Sequence, residues 1–216
     1  MSAGVAGEFA LAVLKAIVVS EDKLTEIASQ IKSLKASDLN AGIRILATID
    51  SLPRRPGDDE HIQHRYRDAL RHFDTAFENA PDESKPFVRL VMAAVCLRLR
   101  GASAEAGAYL AEFARESRAT ATRIATQIRP LLAQADAWSQ EAAQIRTSAD
   151  PYAAGTGLVM WEDTNKALRR NDLIRRALIN RTKAEELDTS VAMLNDAATA
   201  ALEIETAVAN THDPGA

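Results

Sequence analysis

The chain has 216 residues, 26 lysines and arginines against 30 aspartates and glutamates, and a net charge of −4. That mixed balance excludes generic binding to nucleic acid or to an anionic membrane surface, both of which need a basic excess. Aromatic residues make up 5% of the chain, so the apolar 47% is mostly small and aliphatic. Alanine is the best helix former and lets helices approach closely, so the composition reads helical before any periodicity is counted.

The first apolar register runs Ala6, Ala10, Val13, Ile17, Leu24, Ile27, Ile31 and Leu34. This spacing predicts one long helix over residues 6–35. Its opening half, residues 4–19, is small-residue-rich and apolar around most of its circumference. Phe9, Leu11, Val13, Leu14 and Ile17 are therefore candidates for a membrane-inserting segment, against the plainer reading of a core helix. The basic flanks of an interfacial anchor are missing, and Lys15 interrupts a run already short of the roughly 20 residues a span needs.

Ser37 or Asp38 caps a shorter helix through Ile43, Leu46 and Ile49. Pro53-Arg54-Arg55-Pro56-Gly57-Asp58 then breaks the helical pattern. The next helix buries Ile62, Tyr66, Ala69, Leu70, Phe73 and Phe77 and stops at Asn79-Ala80-Pro81. On its other face His61, His64, Asp68 and His72 fall within about 80° of one another at the α-helical turn. Imidazole and carboxylate at successive turns make a candidate zinc site, against a solvated face in which Arg65 and Arg71 are interspersed.

Ser84 and Pro86 open a fourth helix, Phe87 to Arg100, apolar on most sides apart from Arg89 and Arg98. Cys96, the single cysteine, lies in that run and reads as a buried thiol. Gly101 is placed to end this helix and Ser103 to start the next.

Two stretches then repeat one pattern of alternating steps of three and four. The first runs Leu110, Ala114, Ser117, Ala121, Ile124, Ile128, Leu131, Ala135, Trp138, Ala142 and Ile145. The second runs Leu173, Ala177, Asn180, Ala184, Leu187, Val191, Leu194, Ala198, Ala201, Glu205 and Val208. Such spacing keeps one stripe of a helix against a partner, as in a coiled coil, and each stripe would be roughly 50 Å long. The helices predicted are 104–147, kinked at Pro130, and a last long helix ending near Asn210. A short helical piece over 158–170 precedes it, with a kink at Asn171-Asp172. Gly155-Thr156-Gly157 follows no strand and lacks the rest of a phosphate-binding fingerprint, so it reads as linker.

The expected fold is all-α: an elongated bundle of six or seven helices whose two long, coiled-coil-like helices form a hairpin. Residues 1–101 would form a helical head, 102–210 the hairpin and 211–216 a frayed tail. No catalytic motif and no cofactor signature is present, and no known family is resembled. The expected role is a non-enzymatic interaction or scaffold protein of the cytoplasm, partnered by itself or by another helical protein. Its contact residues would be Ile124, Ile128, Leu131, Trp138, Asn180, Leu187, Val191 and Leu194. The alternative is a latent pore-former that inserts residues 4–19.

Overall fold

The computed structural model of the chain describes Leu14 and residues 37–51, 59–82, 84–146 and 157–210. Every regular element among these residues is an α-helix: α1 Ser37–Ser51, α2 Asp59–Asn79, α3 Lys85–Cys96, α4 Ser103–Gln144 and α5 Gly157–Asn210. The all-α architecture expected from composition is the one found. The helix predicted over 6–35 and the Pro53–Asp58 break lie outside the described residues.

Two compact units divide the chain. The first holds α1 to α3, α4 as far as Ala121 and α5 from Ala192; the second, Thr122–Val191, holds the remainder of α4 and α5.

In the first unit, α2 begins with Asp59 and Glu60, whose charges suit a helix N-terminus. Its inward side chains, Tyr66, Ala69, Phe73 and Ala76, follow the three-and-four spacing of one helix face. α2 packs against α1 and α3. The α1–α2 contact is close enough to require glycine: a Cβ on Gly42 would lie 2.7 Å from the Phe73 ring. α3 has Pro86 in its first turn and buries Phe87, Val88 and every residue from Leu90 to Cys96. Leu110, Phe113 and Ala114 of α4 and Ala197, Ala198 and Ala201 of α5 close the same core, to which Leu14 also belongs.

α3 stops four residues short of the Arg100 terminus expected from its apolar pattern. The reason is a contact from another helix. Gln63 of α2 donates from Nε2 to the Arg98 carbonyl at 2.9 Å and accepts from the Arg100 N–H at 2.9 Å. That one amide satisfies backbone groups that a continuing helix would have had to pair, while short-range bonds such as Leu99 N–H to the Cys96 carbonyl tighten the turn. Gly101 then takes φ +79°, the left-handed region that glycine enters without steric cost.

The second unit is a hairpin of antiparallel helix segments. Asn180 reaches Gln134, while Arg169, earlier on α5, reaches Glu141, later on α4. One sequence expectation changes here. Asn171-Asp172 does not interrupt α5, which runs unbroken from Gly157. Asp172 is held as an interior residue by an ion pair to Arg176 one turn on (2.8 Å), and Leu173 beside it is buried in the seam. α4 continues through Pro130 as one helix, as its unbroken register predicted. Pro130 costs one backbone bond, yet Ile124 and Ala135 on either side stay buried.

Candidate interaction surface

The seam residues face inward along both long helices. Within the second unit, Ile124, Ala135, Ala142, Leu173, Ala177 and Ala184 are buried. Ile128, Leu131, Trp138, Asn180, Leu187 and Val191 are half-buried. Leu194, in the first unit, is buried too. Asn180 has a partner for its seam position: its Nδ2 donates to Gln134 Oε1 at 3.0 Å. The pair is open to solvent, so it adds a directional contact across the seam at little cost to the helix. Arg181 adds contacts to Asp136 at 3.1 Å and Ser139 Oγ at 3.3 Å. Arg169 meets Glu141 at 2.6 Å. Arg169 and Arg181 are thus spent on the hairpin's own rim. Ser117, a polar member of the first seam, is buried as well.

The other face of α5 is different. Leu168, Ile174, Leu178 and Ile179 are between 47% and 64% exposed. At 100° per residue they lie about 100–140° away from the centre of the buried seam, on the outward side. Leu132 of α4 is the fifth large exposed aliphatic among the described residues, and all five belong to the Thr122–Val191 unit. The sequence carried the signal for these residues. They are large aliphatics out of register with the seam, a departure obscured by following the seam alone.

The four candidate metal ligands on α2 are not brought together. Among the described residues, no group of three or more His, Cys, Asp and Glu could hold a metal ion. His61 Nε2 accepts from Arg65 Nε at 3.1 Å, His64 lies 3.5 Å from Asp68, and Asp68 is also taken by Arg71 at 2.6 Å. The physical reason is the helix rise: His61 and His72 are separated by about 16 Å along the axis, too far to share one ion. Of the candidate membrane segment, Leu14 is helical and buried in the first unit's core. Phe9, Leu11, Val13 and Ile17 lie outside the described residues. No helix among the described residues is long and apolar enough to cross a membrane.

One feature of the first unit was not legible in the sequence. Arg89, on the otherwise apolar α3, is mostly buried; its Nη1 lies 2.6 Å from Glu116 Oε2 on α4, and its guanidinium stacks 4.8 Å from the Phe77 ring centroid. Cys96 is fully buried. Burial first, then the nearby carboxylates of Glu105 and Asp74, pushes its thiol up to about 12.

Cys96 is therefore expected to resist a thiol reagent such as DTNB at pH 8 in the folded protein and to react stoichiometrically in denaturant; rapid reaction in native buffer would contradict its burial. The unfolded thiol ionises from about pH 9, whereas the folded one keeps its proton to about 12. In that window the unfolded state binds fewer protons, so stability falls as pH rises, by up to about 1.4 kcal/mol per pH unit. Cys96→Ala should remove that component of the alkaline slope, as read from urea unfolding at pH 8, 9.5 and 11.

No protein-family model, no curated protein and no solved structure matches this chain.

Proposed function

We propose that the protein is a non-enzymatic helical interaction module that binds protein through the outward face of its Thr122–Val191 hairpin. The observation that carries this reading is that, among the described residues, all five large exposed aliphatics belong to that unit, four of them between Leu168 and Ile179 of α5. Exposed apolar side chains grouped in one patch mark interaction surfaces, whereas single scattered ones need no explanation. The inner seam serves the hairpin itself, so a partner takes the opposite side. The buried Cys96, its pKa raised and not lowered, is unsuited to act as a nucleophile. A reducing, cytoplasmic setting accords with a lone thiol.

The test is a photo-crosslinking amino acid placed at Leu178 in living cells, with exposed Glu78 of α2 as the control position. A discrete protein adduct from Leu178 alone is the expected result. No adduct, or the same adducts from both positions, overturns the reading. Liposome leakage that disappears on deleting residues 4–19 would put the pore-forming alternative in its place.

A further inference from the structure

The outward face of α5 has a charge order as well as an apolar centre. On this face Arg175 precedes Leu178 and Ile179, and Glu186 follows them. All four side chains are exposed. Arg175 and Glu186 form no ion pair among the described residues. A stretch that is basic before an apolar centre and acidic after it is complementary to its own reverse. Two copies related by a two-fold axis present the same patch to each other with opposite direction.

Resting on the interaction reading above, we propose that the partner of this face is a second copy of the chain, docked antiparallel about an axis near Asn180–Arg181. In this register Arg175 of one protomer faces Glu186 of its partner. The two-fold axis repeats the contact, giving two cross-protomer ion pairs. Leu178 and Ile179 lie next to the axis, where both copies' aliphatic side chains are withdrawn from water together. A parallel arrangement would instead stack arginine on arginine and glutamate on glutamate, so the charge order selects the direction. The same order disfavours a uniformly acidic or uniformly basic partner, which would satisfy one end of the face and repel the other.

The face is short. From Leu168 to Glu186 it extends about 27 Å along the helix, and one helix face of that length falls below the roughly 1,200 Å² of a standard interface. The dimer is therefore expected to be reversible, with a dissociation constant of about tens of micromolar, and to weaken in high salt as the rim pairs are screened.

The experiment is sedimentation equilibrium of the full chain between about 1 and 500 μM, with circular-dichroism melts of every variant. The expected result is a monomer–dimer equilibrium that Leu178→Asp with Ile179→Asp weakens at least tenfold. These side chains are exposed, so the melting curve should stay in place, separating lost docking from lost folding. Arg175→Glu and Glu186→Arg should each weaken the dimer, and the double variant should restore it, because the swap re-creates the pair across the axis. A chain that stays monomeric throughout overturns the proposal. So does a dimer indifferent to the Leu178/Ile179 change, or a charge-swapped variant that fails to recover. A monomeric chain that still gives a Leu178 adduct to a different protein in cells would refute self-docking while leaving the interaction module standing. A monomeric chain with no adduct would remove both.

Discussion

Phe73→Ala is expected to cost about 3–5 kcal/mol of unfolding free energy, the range for removing a fully buried aromatic ring from a close-packed core. Phe73 is completely buried on α2, and its ring lies against the bare backbone of Gly42 on α1. Deleting the ring leaves a cavity at the α1–α2 contact that glycine, having no side chain, cannot fill. Against a total stability of about 5–15 kcal/mol for a natural domain, this is a large fraction. Urea unfolding should show a lower midpoint with an unchanged slope. The complementary change, Gly42→Ala, should cost about 1–3 kcal/mol through overpacking. It should cost less in a Phe73→Leu background, where the nearest ring atoms are gone. Additive effects of the two changes would mean that the side chains do not meet, because only residues in contact couple this way. A Phe73→Ala penalty below about 1 kcal/mol would contradict the packing outright.

The second large effect concerns Arg89. Arg89→Met removes one partner of the Arg89–Glu116 pair and leaves the carboxylate in a partly dry setting. Breaking a buried pair typically costs about 3–5 kcal/mol. Here the lower end, about 3 kcal/mol, is expected, because the Glu116 side chain is still 32% exposed and water can partly re-solvate it. Lost stacking on Phe77 contributes to the same total. The informative comparison is Arg89→Met with Glu116→Leu. Replacing both charges by apolar groups of similar size removes the desolvation cost along with the attraction. The double variant should recover most of the loss in the same unfolding experiment. A double variant as unstable as Arg89→Met alone would show that Arg89 acts through its packing on Phe77, not through the charge pair.

These two sites mark the boundary of what a linear reading can reach. The three-and-four spacing of α4 and α5 was legible because it is a local property: each step depends only on how many residues make a turn. The burial of Ile124, Ala135, Ala177, Ala184 and Leu194 follows from that spacing. So do the inward face of α2 and the start of α3 near Pro86, where the signals lie within a few residues of the element they define. Where two elements meet, the same reasoning had nothing to count. The end of α3 depends on Gln63, more than thirty residues earlier in the chain. Gly42 looks like an ordinary weak point in a helix until the Phe73 ring is placed on it. Asn171-Asp172 resembles a helix start, but the Asp172–Arg176 pair and the buried Leu173 keep α5 continuous. The histidines of α2 share a face but not a point, since a common angle says nothing about distance along the axis.

The candidate surface divides in the same way. The aliphatic residues Leu168, Ile174, Leu178 and Ile179 and the charges around them are written in the chain, and so is their departure from the seam register. That they stay uncovered was decided by tertiary structure, because exposure depends on which other segments of the protein arrive there. By itself, the sequence determined that this protein is helical, which face of each long helix turns inward, and that the two seams match. Only the tertiary structure decided which helix ends where, which charges are buried in pairs, and which apolar face is left to water. Turn geometry is carried by neighbours in the chain; termination, pairing and exposure are carried by neighbours in space.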